Sequence, residues 1–240
     1  MNNVSDNDIP ITMKDESART RLLEKGLQIF GMYGFEGVRT RTLADAAGVN
    51  QSAIPYYFGG KKGLYLAVAQ HLTEILKNNF LQNALKATDG SKDISKEKAT
   101  EALKFIITEF SKVMMGSHIT KVQSAFIARE QLQPTEAYDI LFENFFKPLQ
   151  RTIAYLVGRL IDLNEDDPQT IIVAHAILGQ SNFFATGKEA YLRLQGIDDL
   201  DERHINDIAR TLGELAICSC DRIACKKVVS AINRSNELFT

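Results

Sequence analysis

The chain has 240 residues, of which 45% are hydrophobic and 24% are charged, and its formal net charge is −2. This balance is typical of a globular protein and does not indicate a surface that is basic throughout. The three cysteines, odd in number and close together, argue against a disulfide framework. The sequence starts without a signal peptide pattern and has no apolar stretch of about 18 residues. It therefore predicts a soluble cytoplasmic protein with no membrane partner.

The predicted elements begin after a polar segment, residues 1–13, which predicts a disordered arm. From there the chain has helical periodicity throughout, and Gly34 and Gly48 mark the ends of the first two helices. Between residues 14 and 65 the lysines and arginines outnumber the acidic residues by eight to five, so a mildly basic head precedes an acidic body. The helices of this head are predicted over 16–33, 42–48 and 51–58, and a long fourth helix follows Gly63.

Residues 40–58 carry the pattern of a helix-turn-helix, two short helices joined by a turn with Gly48. Thr40 or Thr42 can cap the first of these helices, and Gly48 can turn the chain through a left-handed conformation. The first residues of the second helix reach base edges in this motif, and a phosphate can lie at the N-terminus of the first. The predicted DNA-binding residues are Arg39, Thr40, Arg41, Thr42, Gln51, Ser52, Tyr56, Tyr57, Lys61 and Lys62.

Inside this motif, Leu43, Ala46 and Ala47 are predicted to pack on the first helix, with Ile54 facing inward from the second. A bare pair of helices around a glycine could equally be two packed surface helices. The stretches Thr42–Val49, Tyr56–Phe58 and Lys61–Tyr65, with the upstream Tyr33–Phe35, nevertheless resemble the TetR family of repressors. This resemblance covers about residues 17 to 76.

Pro55 departs from what an uninterrupted recognition helix requires, because an interior proline removes one helical hydrogen bond. In so short a helix Pro55 still falls in about the first turn, where the cost is small. The hypothesis is therefore that Pro55 tightens the start of the helix and leaves DNA binding intact.

The body also predicts an all-α fold, with helices over about 96–115, 118–131, 168–184 and 201–225 and a further helix that Pro134 opens. Four stretches resemble the subgroup of the TetR family typified by the regulator CecR, namely Ala53–Gly59, Arg129–Pro134, Pro148–Leu149 and Ala176–Gln180. The predicted domains are a disordered arm (1–13), a helix-turn-helix domain (14–76), and a larger ligand-binding and dimerisation body (77–240) joined to it by the long fourth helix.

The family resemblance implies a homodimer formed through the last two long helices of each subunit. The sequence offers two apolar stripes for that interface, although the same stripes could face the core of their own subunit. A two-fold symmetric dimer implies a palindromic double-stranded DNA operator. The residues of the stripes are Ile171, Ala174, Ile177 and Leu178 on one helix and Ile205, Ile208, Leu212 and Leu215 on the other.

The resemblance also implies a pocket for a small-molecule effector among the middle helices. Each aromatic residue there could instead be core packing alone. Arg129 and Glu130 are adjacent charges in an apolar stretch, and Arg129 could hold a ligand anion or take part in a salt bridge. The candidate ligand-binding residues are Phe105, Phe126, Arg129, Tyr138 and Phe142.

No nucleophile motif, phosphate-binding glycine loop or acidic metal cluster is present in the sequence, so it predicts no catalysis, no metal and no cofactor. The leading hypothesis is a ligand-responsive repressor that a small molecule releases from DNA. An activator with the same DNA contacts is possible. An all-helical small-molecule-binding protein or enzyme with a regulator-like head is the alternative.

Overall fold

A computed structural model describes residues 11–86, 94–116 and 120–237. Every regular element in these ranges is a helix, so the predicted all-α class is confirmed. Most of the predicted arm, residues 1–10, lies outside the described residues, whereas residues 11–13 belong to the first helix. None of the described helices has the length and apolar character needed to cross a membrane.

Two of the helices continue through a π-helical segment. The elements in chain order are α1 (Ile11–Tyr33), α2 (Thr40–Ala47), α3 (Ala53–Phe58), α4 (Lys61–Leu76), a π-helical segment (Lys77–Leu81), α5 (Gln82–Lys86), α6 (Lys96–Met115), α7 (Lys121–Leu132), α8 (Glu136–Leu141), a second π-helical segment (Phe142–Phe146), α9 (Lys147–Ile161), α10 (Pro168–Thr186), α11 (Lys188–Gln195) and α12 (Glu202–Glu237).

The first of two compact units contains the described chain up to Ile75 together with Thr120–Phe142. In this unit α1 packs against α2, α3 and α7. Its core includes Phe30, Leu43 and Ile54, which are fully buried. The head predicted as one continuous segment therefore gains α7 and α8, which the sequence assigned to the body.

Glycines end the helices of this unit as their positions predict. Gly34 follows the last residue of α1 with φ of 72°, and its N–H donates to the Phe30 carbonyl at 2.8 Å. Gly48 ends α2 with φ of 61°, so the left-handed turn is confirmed. Other residues adopt this conformation only at a cost in free energy.

The second unit contains the described chain from Leu76 through α6 and from Glu143 onward. In it α6 packs against α9, α10 and α12. The buried Ser111 and Ser181 hydroxyls join α6 to α10 at 2.9 Å. One helix was not expected from the sequence, α11, which lies between Gly187 and Gly196. Pro134 precedes its helix instead of opening it, since the hydroxyl of Thr135 caps α8.

Candidate nucleic-acid interface

The turn between α2 and α3 is held by side chains that lie next to it. Asn50 Oδ1 accepts hydrogen bonds from the backbone N–H and the hydroxyl of Ser52, both at 3.0 Å. Such a local Asx-type turn fixes the direction in which the next helix starts. Ser52 and Gln51 are both exposed at this point, as a base-reading role requires.

Thr40 has a different role from the one its position predicts. The N-cap of α2 is Arg39, which makes no side-chain capping hydrogen bond, so the expectation that Thr40 or Thr42 caps this helix is wrong. The Thr40 hydroxyl instead accepts a hydrogen bond from Gln51 Nε2 at 3.0 Å. This bond joins the start of α2 to the start of α3 and orients the Gln51 amide.

The buried face of α2 is formed by Leu43, Ala44 and Ala47. Ala46 was expected to pack inward but is exposed, and Ala44 takes its place. The Arg21 guanidinium of α1 donates from Nε to the Ala47 carbonyl at 3.0 Å, which binds an otherwise unpaired carbonyl at the end of α2. Thr42 and Arg41 therefore lie on the outer side of the helix, where both are exposed.

Pro55 is the third residue of α3, so the prediction that it falls in the first turn is confirmed. The N–H of Ile54 donates to the Gln51 carbonyl and that of Tyr56 donates to the Ser52 carbonyl. The helix thus begins without an N–H at position 55, and the proline removes no hydrogen bond that this turn uses.

The predicted cationic residues differ in how firmly they are engaged. Arg39 is exposed, and Arg41 lies 3.7 Å from Asp45 in a loose, exposed pair. Lys61 Nζ lies 4.3 Å from the centre of the Phe35 ring. Lys62 forms a 2.6 Å ion pair with Glu136 of α8, and both side chains are more than 60% exposed. Exposed pairs of this kind contribute about 1 kcal/mol or less and can exchange for a phosphate.

The two tyrosines at the end of α3 pack edge to face, with ring centres 4.8 Å apart. Tyr56 is 75% exposed, whereas Tyr57 is half-buried. A phenol in either position has a hydroxyl that can donate to a phosphate oxygen. Of the two, Tyr56 presents the larger free surface.

A buried hydrogen-bond network of the first unit, which joins α7 to α4, was not expected from the sequence. The Glu130 carboxylate of α7 is 1% exposed, and its Oε1 accepts from the Tyr65 hydroxyl of α4 at 2.5 Å. Its Oε2 accepts from the N–H and the hydroxyl of Thr135, at 3.1 and 2.8 Å. Burial, and then the Glu130 carboxylate, raise the pKa of Tyr65 well above its usual range. A charged residue in the apolar stretch of α7 could be recognised in the sequence, but its partner Tyr65 could not.

The candidate ligand-binding residues lie in separate surroundings. Phe126 is 1% exposed, and its ring packs 5.0 Å from that of Tyr65, so it serves the core of the first unit. Arg129 lies against Gly34. Tyr138 and Phe142 stack with their ring centres 6.0 Å apart. Phe105 belongs to the second unit, where it is 46% exposed on α6.

The apolar stripe predicted for dimerisation on α10 turns inward. Ala174, Ile177 and Leu178 are buried in the core of the second unit, as are Ile208 and Leu212 of α12. Of the predicted stripes, Ile171 and Leu215 are exposed and Ile205 is half-buried. A different apolar face of α10 is exposed, with Ile172 at 67% and Phe183 at 64%. This face, called the α10 stripe below, consists of Ile172, Ala176, Gly179 and Phe183.

The three cysteines of α12 differ in exposure. Cys218 and Cys225 are exposed, whereas Cys220 is buried, and burial raises its pKa to about 12. Within the described ranges, no group of three or more His, Cys, Asp or Glu side chains is placed to hold a metal ion.

Comparison with known proteins gives matches along most of the chain. Residues 22–68 match the family model of bacterial regulatory proteins of the tetR family, and residues 99–221 match that of the C-terminal domain of the HTH-type transcriptional dual regulator CecR. The chain is 32% identical to CecR of Shigella flexneri over 209 residues, which is 86% of this chain and 92% of that protein. It is also 37% identical to the regulator RutR of Escherichia coli (strain K12), over 22% of this chain and 26% of that protein.

Solved structures with the same fold are more distant in sequence. The crystal structure of AibR in complex with isovaleryl coenzyme A and operator DNA superposes with a TM-score of 0.59 at 13% identity, covering 82% of this chain and 97% of that one. The regulator SCO4454 from Streptomyces coelicolor gives 0.60 at 14% identity, covering 86% and 97%. At these identities the likeness concerns the fold.

Proposed function

The chain belongs to the TetR family of bacterial regulatory proteins, with a body of the CecR type, and we propose that it binds a palindromic operator as a homodimer. In this proposal a small molecule releases the homodimer from the operator. The observation that carries this proposal is the exposed polar surface of α2 and α3. Its side chains are fixed by local hydrogen bonds and need little further ordering when DNA binds.

In the proposed complex α3 lies in the major groove, and Gln51 and Ser52 contact base edges. Arg39 and Arg41 at the start of α2, with Tyr56, Lys61 and Lys62 around α3, contact phosphates. The remaining predicted contacts are Thr40, Thr42 and Tyr57. The geometry that supports this assignment is the exposure of Arg39, Arg41, Gln51, Ser52 and Tyr56 on one short stretch of chain.

The proposed dimer forms through the α10 stripe and the exposed face of α12 that carries Leu215. Ile172, Ala176, Gly179 and Phe183 recur every three to four residues, so they share one side of the helix. An added methyl group at Gly179 meets no atom within 4 Å, so this side of α10 is open. Large apolar residues that are more than half exposed are typical of an interface, and a second copy presents the same face across a two-fold axis.

The proposed effector is a small molecule that binds the conformation with low operator affinity. It lowers operator affinity by the difference between its binding free energies for the two conformations. Within the first unit, the candidate contacts are Arg129, Tyr138 and Phe142. Repression is the proposed default, and the dual action named for CecR of Shigella flexneri makes activation at some promoters the second candidate.

The experiment is a salt titration of binding to DNA selected from a random pool by the full-length protein. We expect the logarithm of the binding constant to fall linearly with the logarithm of salt concentration, because phosphate contacts release counterions. Arg39→Ala should reduce the slope by about one. Lys96→Ala is the matched control, since Lys96 is also an exposed cation but pairs with Asp162 in the second unit, and it should leave the slope unchanged.

Failure to select any sequence over random DNA would contradict the proposal, and so would a binding constant that is insensitive to salt. The dimer is tested separately by light scattering at micromolar concentration. A monomer that nevertheless binds a palindrome tightly would contradict the proposed symmetry.

A further inference from the structure

A groove on the first unit combines polar and apolar surface at the start of α3. Its volume is about 440 Å³, and it is lined by Thr40, Gln51, Ser52, Ile54, Pro55 and Gly60. The Ile54 side chain is fully buried. Pro55 is exposed, so its ring supplies apolar side-chain surface to the groove.

The Pro55 ring is held rigidly in place. Its backbone φ is fixed by the ring, and the neighbouring N–H groups of Ile54 and Tyr56 already bond to the carbonyls of Gln51 and Ser52. The ring has no donor or acceptor. A ligand group that packs on it gains contact without losing a hydrogen bond and without ordering a flexible side chain.

Polar atoms also line the groove. The Gln51 amide is tied through Nε2 to the Thr40 hydroxyl, which leaves its Oε1 as an oriented acceptor, while the Ser52 hydroxyl is tied to Asn50. The groove therefore suits a ligand edge that presents hydrogen-bonding atoms beside one apolar group.

Base edges in the major groove of DNA have this combination at an A·T pair. Among the four bases, thymine alone presents a methyl group there, at C5, and its paired adenine presents a donor and an acceptor suited to glutamine. We propose that Pro55 contacts a thymine C5-methyl group in each operator half-site and thereby sets a preference for T at that position. The inference rests on the proposed function, because it requires α3 to lie in the major groove.

The test replaces each thymine of the selected operator by uracil, one at a time, since uracil lacks only the methyl group. We expect one position in each half-site at which uracil weakens binding by about fourfold, the effect of one buried methyl group. In Pro55→Ser the penalty at that position should disappear, because a hydroxyl replaces the carbon surface. Lys62→Ala is the matched control: it weakens binding to every sequence and keeps the uracil penalty.

The outcomes separate this inference from the function on which it rests. If the protein selects no sequence, the proposed function fails and the inference fails with it. If it selects an operator but uracil costs nothing at any position, the regulator stands and the methyl contact is wrong. A penalty of equal size in Pro55→Ser assigns the methyl contact to another residue, which also overturns the inference. The uracil scan on the wild-type protein shows whether a thymine methyl group contributes to binding, even where the Pro55→Ser variant is unstable.

Discussion

The two surfaces proposed to bind macromolecules are built from opposite chemistry. The α2–α3 surface is polar and comes from helices of eight and six residues, with side chains fixed by bonds such as that from Gln51 to Thr40. The α10 stripe is apolar and lies on one continuous helix of 19 residues. The first can give affinity that salt weakens, whereas the second gives affinity that depends on apolar area removed from water.

Because of this difference, we expect mutations in the two surfaces to reduce DNA affinity in different ways. Loss of one polar contact on the α2–α3 surface removes a fraction of the DNA affinity and leaves the rest. In the proposed dimer, loss of the α10 stripe would separate the subunits and would remove every DNA contact that the second subunit makes. The double change on the α10 stripe and the pair of glycine changes compare the two surfaces directly, and the changes at Glu130 and Tyr65 test the buried network of the first unit.

The largest effect is expected from Ile172→Glu combined with Phe183→Glu. Two carboxylates on the α10 stripe would have to be buried unpaired between copies, so the dimer should dissociate. Operator affinity should then fall by at least about a hundredfold, because the two heads no longer bind as one linked unit. Light scattering measures the mass, and fluorescence anisotropy measures the affinity.

Leu194→Glu is the matched control for this pair. Leu194 is 86% exposed on α11 and lies outside the α10 stripe, so this charge should leave both mass and affinity unchanged. A double variant that stays dimeric would move the interface away from the α10 stripe.

The α10 stripe also shows why the buried face of this helix could not be predicted from the sequence. Residues 171–174 are four consecutive apolar residues, of which Ile171 and Ile172 are exposed whereas Val173 and Ala174 are buried. A helix that is apolar on all sides has no periodic contrast, so its inward face cannot be chosen from spacing alone. The sequence predicted the helix and its bounds closely, but the predicted stripe proved to be the core face.

In the first unit more could be predicted from the sequence, because the features that mark its helix ends are local. Gly34 and Gly48 mark helix ends that the structure confirms, and the family resemblance over this region is confirmed by comparison with known proteins. The exceptions are long-range. Glu130 and Tyr65 are 65 positions apart, so no local pattern pairs them, and the cap expected from Thr40 is lost to a hydrogen bond with Gln51.

The second prediction concerns the buried hydrogen-bond network around Glu130. Glu130→Ala leaves the buried Tyr65 hydroxyl without its acceptor and should lower the free energy of unfolding by about 2 kcal/mol. Glu136→Ala removes a carboxylate that is 62% exposed and pairs with Lys62, and should cost less than about 1 kcal/mol. Urea unfolding of both variants measures the difference. Equal costs would mean that the Glu130 carboxylate contributes no more than an exposed ion pair.

The third prediction compares one glycine from each surface. Gly48 has φ of 61°, and Gly179 lies inside α10, yet an added methyl group meets no atom within 4 Å at either position. Gly48→Ala should therefore destabilise by about 1–2 kcal/mol through backbone strain alone. Gly179→Ala should stabilise the helix by about 0.5–1 kcal/mol. The second value is measured in the Ile172→Glu, Phe183→Glu background, so that a dimer interface does not contribute. The same sign at both sites would contradict the strain argument.

The smallest expected effect is on the free energy of unfolding at alkaline pH, and it comes from Tyr65. The pKa of its hydroxyl is raised above the ordinary value of 10.0, first by burial and then by the Glu130 carboxylate. Above pH 10 the unfolded chain loses this proton while the folded chain keeps it, so the unfolded state binds fewer protons. The stabilisation is thus fully present below pH 10 and is lost as the pH rises through the folded pKa. Tyr65→Phe removes this titration and should show a shallower fall in unfolding free energy between pH 9 and 11. Tyr56→Phe, at a position that is 75% exposed, should follow the wild-type curve, whereas identical curves for Tyr65→Phe and wild type would assign the alkaline loss to other groups.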